Sequence, residues 1–363
     1  VFYLIATLTL HNAINYGAIL QAYALQQFLL GSGLDTELIN YYPNLRKLKP
    51  KTKRSLWQKI VHEVSKIPTI PTRASEKRKI EKFKIFNQEF LRVSKDTFRG
   101  DGEIIQNPPQ YDTYIAGSDQ IWNSNITNNS KAFFLNFITS GKKIAYAASF
   151  GKSQLDDEEM KNIRKYLSDF DFLSVREQEH KKMLSDILGL SAQLALDPVF
   201  LLNREEWSEI AKSYKLPKKF VLVYVLEYSE EMFDYARKIA KKLNCKIVYL
   251  SLYISRKING KVLKEIGPRE FLDIISHASY VCTNSFHGTA FSIIFERNFT
   301  VFGRATGNSR IENIIELAGL KERWCDLEYN KMEAIDYQKV NNAMAPHIMG
   351  SKQFIFDAVG KSC

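Results

Sequence analysis

At 363 residues and 45% apolar content, the chain is too long for one small domain and carries enough apolar side chains for about two cores. It has no apolar run of the roughly eighteen residues that a membrane-spanning helix needs. Its net charge of +11 is local: from Asn44 to Arg99 seventeen Lys/Arg oppose five Asp/Glu, an excess of twelve, so the remainder is close to neutral.

In chain order, Val1–Leu10 is apolar but lacks a basic leader and a small-residue cleavage site, so Val1–Leu8 reads as a first strand and not as a signal peptide. A polar turn, His11–Gly17, leads into a helix over Ala18–Leu30, stopped at Gly31 or Gly33. Thr36–Tyr42 alternates as a second strand. Residues 44–99 read as a basic helical insertion, with helices over Ser55–Ile67 and Ser75–Leu91 separated by Pro68–Pro71. Ile80, Phe83, Phe86, Phe90 and Leu91 form an apolar stripe that must dock on something. The segment is either a surface for something anionic, such as a lid or a membrane-facing patch, or a solvated face that keeps the protein soluble.

Tyr111–Ala116 resumes the sheet and ends in Gly117-Ser-Asp-Gln-Ile-Trp-Asn123. Strands follow at Lys143–Ser149, at Phe170–Val175 (delivering Arg176 and Glu177) and near Gln193–Leu196, with a helix over Asp156–Leu167 and another running to Leu188. Asp197-Pro198 marks the expected domain boundary. A second unit then begins: strand Phe220–Leu226, a helix capped by Ser229, strand Lys246–Leu252, a helix from Pro268 to His277, strand Tyr280–Thr283, a polar turn at Asn284–Gly288, an apolar helix, strand Phe299–Phe302 and a helix from Asn308. A last helix, about Asp336–Val359, is expected to pack back on the first half. The pattern predicts an α/β protein of two Rossmann-like domains facing a cleft: residues 1–196 (with 44–99 inserted), 197–330, and a C-terminal helical segment 331–363.

The turns at the carboxyl ends of the strands would line that cleft. They hold one histidine (His287), one aspartate (Asp119), two arginines (Arg176, Arg310) and several helix N-termini. Arginines and helix N-termini point to an anion, while histidine with aspartate points to proton transfer at a hydroxyl. Bland readings stand beside these: a histidine satisfied by a backbone carbonyl, an aspartate that caps a turn, a tryptophan in the core. No G-x-S-x-G elbow, Walker loop or full G-x-G-x-x-G occurs. The four cysteines (Cys245, Cys282, Cys325, Cys363) show no metal-ligand spacing, so free thiols and no metal site are expected.

A set of segments, in order over nearly the whole chain, resembles the polysaccharide pyruvyl transferase family: N-Y-G-A-I-L-Q-A-Y-A-L (Asn15–Leu25), Y-D-T-Y-I-A-G-S-D-Q-I-W-N (Tyr111–Asn123), S-V-R-E (Ser174–Glu177), L-D-P-V (Leu196–Val199), N-S-F-H-G (Asn284–Gly288) and N-S-R-I-E-N (Asn308–Asn313). The resemblance implies a fold like that of the two-domain glycosyltransferase B enzymes. It also implies transfer of a pyruvyl group from phosphoenolpyruvate to two hydroxyls of one sugar, forming a cyclic ketal and releasing phosphate. Some relatives carry an R-x-H turn; here the histidine position is His287 and the arginine position is Ser285. On this reading His287 is the general acid and Asp119 orients or deprotonates a sugar hydroxyl. Arg176, Asn284, Ser285, Gly288 and Arg310 face the donor, and Asn15, Tyr16, Gly17, Ser118, Gln120 and Trp122 face the acceptor. No cofactor beyond the donor, no metal and no nucleic acid is expected. The acceptor would be lipid-linked or nucleotide-linked. The setting would be cytoplasmic, with peripheral contact to an anionic membrane as an option. Two other readings stay open from the residues: a glycosyltransferase using a nucleotide sugar, and a non-catalytic protein that binds anionic surfaces.

Overall fold

The computed structural model describes residues 4–43, 73–152, 155–251, 260–325 and 333–361. Strands β1 (Leu4–Leu8), β2 (Asp35–Tyr42), β3 (Val93–Arg99), β4 (Thr113–Ala116), β5 (Lys142–Ala148), β6 (Phe172–Val175) and β7 (Gln193–Leu194) form one sheet in the order β3-β2-β1-β4-β5-β6-β7. Strands β8 (Phe220–Val225), β9 (Lys246–Ser251), β10 (Lys261–Leu263), β11 (Tyr280–Thr283) and β12 (Phe299–Val301) form a second, in the order β10-β9-β8-β11-β12. Every pairing in both sheets is parallel. Parallel strands are covered on both faces, which is why β4, β8 and β11 are buried along their whole length and read as apolar runs and not as alternating ones.

Strand order reverses at the β1/β4 gap of the first sheet and at the β8/β11 gap of the second. Such switch points leave a crevice beyond the carboxyl ends of the strands, where ligands bind in open α/β sheets. The turn after β1, the turn after β4 and the turn after β11 all lie at these two crevices. They contain His11–Asn15, Gly117–Asn123 and Asn284–Ser285 respectively.

One apolar cluster joins the two halves. Tyr16 opens the helix Tyr16–Gly31 and stacks on Phe271 at 4.5 Å with an interplanar angle of 2°, and its hydroxyl donates to Ile266 O at 2.9 Å. The helix Arg73–Phe90 lies over this junction. Phe83 packs on Tyr16 and Phe86 on Tyr23, while Arg78 forms a two-pronged ion pair with Glu265 (2.7 and 2.6 Å) and Lys82 meets Glu270 at 2.7 Å. The expected apolar stripe therefore docks, and on both halves at once. The helix expected over Ser55–Ile67 and the piece Pro68–Pro71 lie outside the described residues.

One expectation needs correction. Residues 93–99 are not part of a helical insertion; they are β3, the edge of the first sheet, paired with β2 through Asn40 opposite Thr97. The sequence hides the strand: V-S-K-D-T-F-R has only two apolar residues, Val93 and Phe98, five positions apart, with Lys95 and Asp96 exposed between them, so no period of its own marks it within a basic run. The last helix, Tyr337–Val359, starts against the second half through Val340 and Met344. It ends on the first, where Phe354, Ile355, Ala358 and Val359 pack with Ile5, Leu25, Ile115 and Tyr146. Among the described residues, no helix is long and apolar enough to cross a membrane.

Candidate functional site

A buried carboxylate sits where the two halves meet. Asp197 follows β7, and its side chain is wholly inaccessible. Its Oδ1 accepts from Val199 N at 3.0 Å, which closes a short turn opened by Pro198. Its Oδ2 lies 2.8 Å from Arg176 Nη2, at the end of β6, and 3.3 Å from His287 Nε2, from the opposite half. Burial pushes this carboxyl up, but the Arg176 guanidinium and His287 more than offset that and hold it at about 2. One carboxylate thus fixes a cation from the first domain and an imidazole from the second.

His287 is placed by its helix. Ser285 is the N-cap of Phe286–Ile294, and its Oγ accepts from Gly288 N at 3.3 Å. The imidazole therefore belongs to the first helical turn, not to the preceding loop. It lies directly on Gly17: a Cβ built there would stand 1.9 Å from His287 Nδ1. Asn15 caps the helix beginning at Tyr16, with Oδ1 accepting from Gly17 N (2.9 Å) and Ala18 N (3.3 Å). The glycine of the first turn and the histidine of the last are one contact between the two halves.

Arg176 and Arg310 flank this pair. Arg176 Nη2 donates to Ser118 Oγ at 2.5 Å, and its guanidinium lies over the Phe286 ring at 5.0 Å. Arg310, in the first turn of Ser309–Leu317, lies 5.9 Å from the same ring. Its nearest acids are loose partners: Asp119 at 3.8 Å and Glu177 at 3.9 Å. Burial and the charge of Arg176 lower the proton affinity of Arg310, yet a guanidinium stays charged at any ordinary pH. Arg176 Nε and Nη1 and Arg310 Nε are buried and have no hydrogen-bond partner among the described residues. Buried charged donors left unpaired are costly, so this set suits an anion that completes it.

Behind Arg310 lies a second polar group. Glu177 accepts from Ser149 Oγ at 2.5 Å and meets His180 Nδ1 at 2.8 Å, while His180 Nε2 lies 2.9 Å from the Lys152 carbonyl. Asp119 adopts the left-handed region at φ 70°, unusual for a non-glycine residue. Its carbonyl accepts from Ser149 N at 3.1 Å. The strained backbone presents its carboxylate toward Arg310, and Asn123, not Asp119, caps the short helix that follows.

The expected residues separate into those that face the junction and those that shape it. His287, Arg176, Arg310 and Asp119 converge. Ser118 is buried, donating to Ala147 O at 2.9 Å and accepting from Arg176. Gln120 Oε1 accepts from Asn123 Nδ2 at 2.8 Å. Asn284 is used up in tying β11 to the loop after β8, through Leu226 N (2.8 Å) and Glu227 O (2.7 Å). Gly288 fits closely against Thr283 and Tyr224. Two residues expected at the acceptor are engaged in packing. Tyr16 is packed on Phe271 and bonded to Ile266, so it joins domains. Trp122 donates to Phe133 O at 3.0 Å, stacks on Phe134 and lines a cavity of about 350 Å³ together with Glu159 and Tyr166. Asp197, Glu177, Phe286 and His180 were not anticipated as site residues. Asp197 and Glu177 were visible in L-D-P-V and S-V-R-E, but a buried acid cannot be told from a turn-forming one without its partners.

Comparison with known proteins adds a family and a fold. The family model for polysaccharide pyruvyl transferase matches residues 15–306, well over half the chain. A search of curated proteins returned no match. Among solved structures, a UDP-N-acetylglucosamine 2-epimerase aligns at 11% identity with a TM-score of 0.55, covering 99% of this chain and 95% of that one. A UDP-N-acetylglucosamine 2-epimerase from Listeria monocytogenes aligns at 11% identity with a TM-score of 0.53, covering 100% and 92%. At such identity the likeness is one of fold: two Rossmann-like domains in the glycosyltransferase B arrangement.

Proposed function

The chain belongs to the polysaccharide pyruvyl transferase family and is a transferase, and on that premise we propose that it moves the pyruvyl group of phosphoenolpyruvate onto two hydroxyls of one sugar. The observation that carries this reading is the junction at Asp197: an imidazole and two guanidiniums with unpaired buried N–H groups, drawn from both halves. Phosphoenolpyruvate carries a carboxylate and a phosphate, and Arg176 and Arg310 supply donors for both. His287, held by the ionised Asp197, gives a proton to the donor's methylene carbon. The neighbouring carbon becomes cationic, and a first sugar hydroxyl attacks it. Asp119 receives or directs that hydroxyl's proton. A second hydroxyl then displaces phosphate, which leaves carrying the remaining proton, and the ketal closes. The arginines stabilise the leaving charge.

The test is phosphate release from phosphoenolpyruvate, assayed with a panel of lipid-linked and nucleotide-linked sugars. Release that requires one of these sugars, with a ketal in the product by mass and NMR, is expected. His287→Gln should lower kcat by roughly 10²–10⁴-fold, the usual scale for losing a general acid. Absence of release across the whole panel would overturn the reading.

A further inference from the structure

His180 lies outside the chemistry just described, yet both of its ring nitrogens face oxygens. Nδ1 is 2.8 Å from Glu177 Oε2 and Nε2 is 2.9 Å from the Lys152 carbonyl. A carbonyl oxygen only accepts, so Nε2 carries hydrogen. A carboxylate also accepts, and Glu177 is ionised beside two guanidiniums, so Nδ1 carries one too. The ring is therefore an imidazolium, 1% exposed and paired with an equally buried carboxylate. The remaining neighbours fit this charge. Glu179 Oε1 lies 3.9 Å from Nε2, the Phe150 ring packs edge-on at 5.0 Å, and the Lys152 ammonium is turned away onto Glu159 and Ser124. Arg176 and Arg310 face the pair from the Glu177 side. Burial opposes the extra proton, but the bond and charge of Glu177 raise His180 above its ordinary value.

The consequence concerns Arg310. Glu177 Oε1 is 3.9 Å from Arg310 Nε, too far for a hydrogen bond and close enough to attract. We propose that protonated His180 is a positioning residue: it neutralises Glu177 and so removes one of the two carboxylates that compete with the donor's anionic groups for Arg310, the other being Asp119 at 3.8 Å. This rests on the donor assignment above. If His180 loses its proton, Glu177 becomes an unbalanced carboxylate that competes with the donor for Arg310. The hydrogen that remains stays on Nδ1, facing the Glu177 carboxylate, so the proton lost is that of Nε2; its bond to Lys152 O goes, which loosens the Ser149–Lys152 turn, whose Gly151 carbonyl lies beside Gly307 of the other half.

The experiment measures phosphoenolpyruvate affinity by calorimetry and the KM–kcat split between pH 6 and 9. It compares wild type, His180→Gln and the double variant Glu177→Gln/His180→Gln. In wild type, KM for the donor should rise on the alkaline side while kcat changes less. His180→Gln should raise KM roughly tenfold or more at pH 7, the scale of one uncompensated charge about 4 Å from the binding group, and flatten the alkaline limb. The double variant should recover most of the affinity, because the competing carboxylate is gone. A double variant as weak as His180→Gln would overturn the proposal, since a merely structural role predicts no rescue. Independently, ¹⁵N NMR of the His180 ring in the free protein should show two protonated nitrogens at pH 7, and a single protonated nitrogen would overturn it too. Failure of wild type to bind phosphoenolpyruvate at any pH would overturn the donor assignment instead, leaving the NMR result to decide the state of His180.

Discussion

Asp197 and Gly17 are the residues on which the junction turns, for opposite reasons. Asp197 contributes a charge. Replacing it with Asn leaves Arg176 and His287 facing each other without a counterion, and breaking a buried pair of this kind costs about 3–5 kcal/mol. Equilibrium denaturation at pH 7 should register that loss. Because its folded value is held below the unfolded one, the stabilisation is complete above the unfolded value of about 4 and fades as pH falls toward about 2. The stability gap between wild type and Asp197→Asn should therefore narrow over that acidic window and stay constant above it. Gly17 contributes space. Ala is the better helix former by about 1 kcal/mol, so Gly17→Ala should stabilise the helix if nothing else were touched. Its methyl would instead meet the His287 ring, forcing the imidazole or the whole second half to shift. We expect kcat to fall at least tenfold, the scale on which a displaced catalytic group costs activity, together with a stability loss of about 1–3 kcal/mol from the overpacked contact. Unchanged kcat would show that His287 does not work from this position.

At the scale of elements, the helix Arg73–Phe90 shows how a charged segment can still be structural. Its basic residues are mostly exposed, while Phe83 and Phe86 are buried between the helix Tyr16–Gly31 and the second half. Phe86→Ala should cost about 3–5 kcal/mol in a denaturation experiment, whereas Ile85→Ala, whose side chain is half out in solvent, should cost far less. Periodicity made this helix legible because five apolar residues recur at helical spacing. What periodicity could not supply was the surface it docks on, since Glu265 and Glu270 come from far along the chain. The strand β3 escapes local reading for a related reason: it has only two apolar residues, five positions apart, and its place comes from pairing with β2 and not from a period of its own.

For the whole molecule, the two halves are closed on one another through Tyr16, Phe271 and the helix Tyr337–Val359, with the Asp197 junction between them. Loosening this clasp should change access to the junction more than chemistry. Phe271→Ala removes the stacking partner of Tyr16. It should make the region between the halves more susceptible to limited proteolysis, with phosphoenolpyruvate restoring protection if the donor bridges Arg176 and Arg310. Equal protease sensitivity in wild type and variant would show that this stack does not hold the halves together.

The alternation of strands and helices, the two Rossmann-like units and the corner at Asn284–Gly288 were determined by local sequence. Hydrophobic period and turn chemistry are properties of neighbouring residues. His287, Arg176, Arg310 and Asp119 were legible as types that handle anions and protons at strand ends. That they share one carboxylate was not. Asp197 lies in a dipeptide that reads as a chain break, and its partners are 21 residues before it and 90 after it. Only parallel sheets with reversed order at β1/β4 and β8/β11 bring those positions together. Tertiary structure likewise decided that Tyr16 and Trp122 spend their rings on packing, and that His180 and Glu177 stand behind Arg310. Burial and long-range charge balance arise only when distant segments meet, so no local pattern encodes them.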